Sequence, residues 1–100
     1  LAKYKVKLYE QAFKDLDEIF SYICYDKQAP QNAKNQTDRI KAAILGLESL
    51  PQSHQDRTVG IYANKGYKQL VIDNYLAIFK IDEKNKTVYI VTIIYQGRNI

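Results

Sequence analysis

The 100-residue chain contains no tryptophan and no methionine, and only one cysteine, one histidine and two prolines. A lone cysteine, Cys24, excludes an internal disulfide and any metal site built from several thiolates, and it suits a reducing cytoplasm. His54 stands alone, so no histidine pair is available to a metal ion. No apolar run approaches the roughly 20 residues that span a bilayer, which excludes a transmembrane helix and leaves no role for a membrane. No secretory signal is visible in the opening residues. Glycine-rich phosphate loops, Walker motifs, zinc spacings and nucleophile elbows are all missing, so neither a metal nor a cofactor is expected. Repeats, low-complexity tracts and linkers are absent too. Residues 1–100 therefore read as a single domain with one modest core.

What is present is a soluble composition, 46% hydrophobic and 26% charged, with a net charge of +4 and nine tyrosines. The mild basicity would help a nucleic-acid or acidic protein partner. Tyrosine, with an apolar face and a polar tip, suits half-buried sheet faces and contact surfaces.

Tyr4, Val6 and Leu8 alternate with Lys3, Lys5 and Lys7, the period of a strand with one wet, basic face. Over residues 10–25 the period changes. Ala12, Phe13, Leu16, Ile19, Phe20 and Ile23 recur at three- and four-residue steps, one face of an amphipathic helix. Cys24 falls in this pattern and reads as a small core residue. Lys14 and Glu18 lie one turn apart on the outside as a candidate pair. Pro30 suits the first turn of a second helix, whose narrow seam is Ala33, Thr37, Ile40, Ile44 and Leu47 and which stops near Leu50-Pro51. Together they make a helical hairpin.

Residues 51–65 are polar and aperiodic, long for a loop in a compact domain, and of the kind that carries function. Three strands follow at 67–72, 75–81 and 87–94, with a tight turn at Asp73-Asn74 and a polar connector at 82–86. In the last strand Val88, Ile90, Thr92 and Ile94 alternate with Tyr89, Val91, Ile93 and Tyr95. Both faces are apolar, so this strand is expected to be central, with one face under the helices and the other covered by loops or another protein. The expectation is an α+β domain in which a helical hairpin packs on an antiparallel sheet, in the order β-α-α-β-β-β.

That order, with the wording of three segments, resembles the RelE/ParE family of toxins from bacterial type II toxin–antitoxin modules. The segments are VKLYEQAFKDLDEIFSYI, KNQTDRIKAAILGLESLP and NYLAIFKIDEKNKTVYIVTIIYQGR, and they cover nearly the whole chain. The resemblance implies a cytoplasmic toxin held inactive by a cognate antitoxin in a hetero-oligomer. It also implies one of two actions on one fold. RelE-like members cut mRNA on the ribosome without a metal. ParE-like members poison DNA gyrase and are not enzymes in that sense.

The wording leans to the second. Val71 and Leu76 stand where RelE-like nucleases are expected to carry arginines, and an apolar side chain cannot steady a developing phosphate charge. Lys68 matches the basic residue that opens the preceding strand in ParE-like chains, and Arg98 matches their terminal arginine. The ending Tyr95-Gln96-Gly97-Arg98 departs from their histidine-glycine-arginine pattern.

The resemblance makes Arg98, Lys68 and Tyr95 catalytic if the chain is a nuclease, with Arg57, Lys65 and His54 as further candidates on the same sheet edge; otherwise they are target contacts. Arginine would clamp a phosphate, and tyrosine or histidine would move a proton or stack on a base. Phe13, Phe20, Tyr22 and Tyr25 are the candidate antitoxin contacts; the plainer reading has Phe13 and Phe20 packing the hairpin. Three functions stand in order: a gyrase-directed toxin, a ribosome-dependent mRNA endonuclease, and an inactive homologue that only binds antitoxin and co-regulates transcription.

Overall fold

A computed structural model describes residues 3–97. The chain runs β1 (Lys5–Leu8), α1 (Glu10–Ser21), α2 (Pro30–Leu45), β2 (Lys68–Ile72), β3 (Tyr75–Asp82) and β4 (Thr87–Tyr95). The four strands form one sheet in the order β1-β4-β3-β2. β2, β3 and β4 are the expected antiparallel meander. The sheet as a whole is mixed, which corrects the expectation of an antiparallel one: β1 lies parallel to β4, pairing Lys5 with Thr87 through Leu8 with Ile90. Two helices separate β1 from the meander, long enough to carry the chain back for parallel pairing.

The helices cover one face of the sheet. Ala12 and Leu16 of α1 and Ile40 and Ile44 of α2 meet Phe79, Val88, Ile90 and Ile93 in one core. The narrow seam of the second helix is buried throughout, from Ala33 to Leu47. Thr37 fits inside it because its hydroxyl donates to the carbonyl of Ala33, one turn back, at 3.0 Å. Pro30 takes the first position of α2, where its missing N–H costs nothing.

Several local expectations change. Lys14 pairs with Glu10 at 3.6 Å instead of Glu18; glutamate N-terminal to lysine is the better orientation on a helix. The first helix gives way at Tyr22–Asp26 to one wider, π-type turn. Cys24 lies in that turn, half-buried and outside the core. Phe13 is 56% exposed and does not pack the hairpin.

The largest change is in β4. Ile78 pairs with Thr92 but Phe79 pairs with Ile90, so Val91 is an extra residue, a bulge. Strict alternation breaks there. Ile93 joins Val88 and Ile90 on the helix side, while Ile94 turns to the outer face. Asp15 of α1 holds the bulged segment. Its carboxylate accepts the Ile93 N–H at 2.9 Å and the Thr92 hydroxyl. The helix supplies an acceptor just where β1 has ended.

On the side of the sheet away from β1 the β2–β3 turn is tied to α2. Asp73 sits at φ 55°, a left-handed conformation that aspartate tolerates better than most residues. Its carboxylate accepts from Arg39 Nε at 2.8 Å and Gln36 Nε2 at 3.0 Å. These bonds, arginine first, hold its carboxyl below the usual range.

Two outcomes follow from these ties. Asp15→Ala leaves the Ile93 N–H without its acceptor, and urea unfolding should register a loss of about 1–3 kcal/mol; an unchanged midpoint would remove Asp15 from the account. Because folding lowers the Asp73 pKa, its contribution is present above the ordinary value of 3.8 and fades as pH falls through the folded one. Between pH 6 and pH 3 the melting temperature of Asp73→Asn should therefore fall less than that of the unmodified chain.

Candidate functional site: the outer sheet face and the helical groove

Two surfaces remain after the core is filled. The first is the sheet face turned away from the helices. Val71 of β2 and Leu76 of β3 are directly opposed across the strands. Leu76 packs with Ile78 and Ile94 in a second apolar cluster, covered by Tyr62 and Tyr67. The two rings meet edge to face at 5.0 Å. The cover comes from the long segment before β2, which is folded: the Arg57 N–H donates to the Tyr67 carbonyl at 2.8 Å and the Asn64 N–H to the Arg57 carbonyl at 2.9 Å. Gly66 permits the return into β2 at φ 85°. Val71 and Leu76, where an mRNA-cutting relative is expected to carry cations, are aliphatic; further along the same face Lys80 Nζ stands over the Tyr9 and Tyr89 rings at 5.5 and 5.9 Å.

The candidate cations are arranged around that segment. Lys68 opens β2 and is mostly buried. Its ammonium donates to Asp56 Oδ1 at 2.8 Å and to the His54 carbonyl at 3.1 Å. The His54 ring meets Phe79 edge-on at 5.9 Å. Arg57 is only 4% exposed. Its NH1 donates to Gln69 Oε1 at 3.1 Å, and its Nε has no partner among the described residues. Lys68 and Gln69 are successive strand residues whose side chains leave opposite faces, so Arg57 and Lys68 serve opposite sides of β2. Lys65 is exposed.

Tyr95 ends β4, stacked edge-on to Tyr75 at 5.8 Å. It belongs to the Ile72–Tyr75 end of the sheet and Lys68 to the Phe79 end. Four positions of strand, roughly 13 Å at about 3.3 Å each, separate those ends, besides the width of β3. His54 and Lys68 therefore meet on the helix side of β2, Arg57 lies on its outer side, and Tyr95 stands at the far end of the sheet. Arg98 lies outside the described residues. No group of three or more His, Cys, Asp or Glu among the described residues is placed to hold a metal ion.

The second surface is a groove of about 370 Å³ between α1 and α2, lined by Leu8, Phe13, Leu16, Phe20, Lys41 and Leu45 among others. Phe13 and Leu45 stand 56% and 60% exposed on its walls. Burying such side chains contributes about 25 cal/mol per Å² of apolar surface, so an amphipathic segment laid here gains stability from each wall. Tyr22 and Tyr25 lie beyond the groove, 49% and 71% exposed, on the π-type turn. Leu45 was missed in sequence. Its signal was position, an apolar residue one step off the buried seam and followed by Gly46.

The chain matches the model of the ParE toxin of the type II toxin-antitoxin system parDE over residues 6–100. It belongs to that family of toxins. In fold it is similar to the chromosomal ParDE toxin–antitoxin system from P. aeruginosa, with 20% identity, a TM-score of 0.74, and coverage of 93% of this chain and 96% of that one. It is also similar to the toxin–antitoxin complex RelBE2 from Mycobacterium tuberculosis, at 17% identity, TM-score 0.66 and 98% and 97% coverage. A third likeness is the archaeal RelE–RelB complex from Pyrococcus horikoshii OT3, at 19% identity, TM-score 0.61 and 96% and 98% coverage. No curated sequence matches. Both named classes share the fold, so the class of action has to be argued from side chains. No helix among the described residues is long and apolar enough to cross a membrane.

Arg57 provides the local test. A buried guanidinium that meets a glutamine and no carboxylate gives little back for its desolvation. Arg57→Met should therefore unfold within about 1 kcal/mol of the unmodified chain in urea, or above it. A loss of several kcal/mol would mean that the charge has a stabilising partner.

Proposed function

We propose that this toxin acts in the ParE manner, on DNA gyrase, without cutting RNA, and that its antitoxin silences it from the α1–α2 groove. The observation that carries the first part is the apolar outer face. Val71 and Leu76 stand side by side in place of arginines, and Leu76 lies under Tyr62 and Tyr67. Those two positions offer no donor to neutralise a phosphorane or a leaving oxygen; the cations of the same face stand elsewhere, Arg57 enclosed against Gln69 and Lys80 over the Tyr9 and Tyr89 rings.

The groove supports the second part. Its exposed Phe13 and Leu45, with half-buried Phe20, present the spacing that an amphipathic helix reads. The similar ParDE and RelBE structures are themselves toxin–antitoxin assemblies, which supports an antitoxin partner and a hetero-oligomer here. One observation favours mRNA cleavage instead, the placing of His54, Arg57 and Lys68 at one end of β2. Lys68 is already held by Asp56 and Arg57 is enclosed, so neither is free to take a phosphate without rearrangement.

Pulse-labelling after induction of the chain without antitoxin separates the actions. DNA synthesis should stop before protein synthesis. Protein synthesis stopping first would establish the nuclease reading, and growth without arrest would establish an inactive homologue.

A further inference from the structure

α1 is a ridge with a recess on each flank. The flank away from α2 has a cleft of about 570 Å³ between the second half of α1, Lys27 and the ends of β3 and β4. Ile19 and Ile93 contribute its apolar surface, and Tyr22, Tyr75 and Tyr95 its aromatic walls. The three rings crowd one another. Burial, then the neighbouring Tyr95 and Tyr22, pushes the Tyr75 hydroxyl upward.

The charge around this cleft is opposite to that of the chain. Residues 10–27 carry Glu10, Asp15, Asp17, Glu18 and Asp26 against Lys14 and Lys27, although the whole chain is +4. Asp15 is spent on β4 and Glu10 on Lys14. Asp17, Glu18 and Asp26 have no ion pair among the described residues. They border Tyr22 and Tyr25 in a shallow recess along the ridge.

We infer that this tyrosine-walled cleft and the adjoining carboxylate recess, which share Glu18 and Tyr22, receive a cationic stretch of the antitoxin, an arginine or lysine beside an apolar anchor. The inference rests on the antitoxin reading above and adds the chemistry of a second contact. The chain already shows what the rings accept: Lys27 Nζ stands 5.5 Å from the Tyr22 ring centroid, a cation–π contact that an incoming guanidinium can replace.

Other occupants fit less well. Nucleic acid is repelled by the carboxylates. A second copy meeting it symmetrically would bring the same acidic ridge. A wholly apolar segment would desolvate three unpaired carboxylates. The path is continuous with the first contact, because Asp17 lines both the α1–α2 groove and the shallow recess. A segment leaving the groove at Asp17 therefore meets Glu18, Tyr22 and Tyr25 next.

The test titrates the purified chain with the antitoxin expressed from the adjoining reading frame of the module, at 50 and 300 mM salt. Glu18→Lys with Asp26→Lys should weaken binding about tenfold or more at low salt and flatten its salt dependence. Tyr22→Ala should weaken it about tenfold at both salts. Lys5→Glu, on β1, serves as the control and should change little. All four side chains are exposed, and matching thermal melts establish that the variants fold. Glu18→Gln, which removes charge without adding any, should fall between the unmodified chain and the reversal. Binding indifferent to the reversals, or strengthened by salt, overturns this inference alone. An unmodified chain that fails to bind the antitoxin overturns it together with the antitoxin reading.

Discussion

β4 carries Val88, Ile90 and Ile93 toward the helices and Ile94, beside Leu76 and Ile78, toward the opposite side, and neither set can be left in water. The rest of the molecule answers that demand. The helical hairpin covers one face. The long segment before β2 covers the other with Tyr62 and Tyr67. The bulge at Val91 lets a single strand serve both covers, because it moves Ile93 to the helix side and Ile94 to the other within two residues. Asp15 then supplies the acceptor that the bulged strand lacks once β1 has ended. The faces taken by Ile93 and Ile94 and the pairing of Tyr95 with Tyr75 follow from this one slip.

The same demand bears on function. The Val71 and Leu76 end of the outer face is aliphatic and tyrosyl, which supports the proposed non-nucleolytic action, while Lys80 stands further along the same face over Tyr9 and Tyr89. Lys68, the cation that remains on β2, faces the helix side and is tied to Asp56 and the His54 carbonyl. The charge left over is divided between surfaces. Lysines line the β1 edge, while unpaired carboxylates line the α1 ridge. A basic chain with an acidic, aromatic ridge is suited to different partners on different sides.

Much of this was legible in the sequence because two periods carried it. The 3.5-residue seam of Ala33 to Leu47 and the alternation of Tyr4, Val6 and Leu8 each report a buried face directly. The double-sided apolar pattern of residues 88–94 correctly announced a central strand in need of two covers. What escaped was anything that depends on one extra residue or one distant partner. No local signal marks Val91 as the bulge, since every residue from Val88 to Ile94 is a good strand former. Parallel pairing of β1 is set by where two helices deliver the chain. Phe13 satisfied the helical period and still faces water, because period reports which residues share a side, not whether that side is covered. The candidate site was legible by residue type alone. That Lys68 and Tyr95 fall at opposite ends of the sheet could not be read from spacing, since pairing across β3 decides it.

We propose that the apolar patch at Val71 and Leu76 leaves this toxin without nucleolytic chemistry. The most direct measurement adds the purified chain to ribosomes programmed with a defined mRNA and maps the 5′ ends of the message. The account predicts the same ends with and without the chain. New ends at the ribosomal A site that disappear with Lys68→Ala would contradict it.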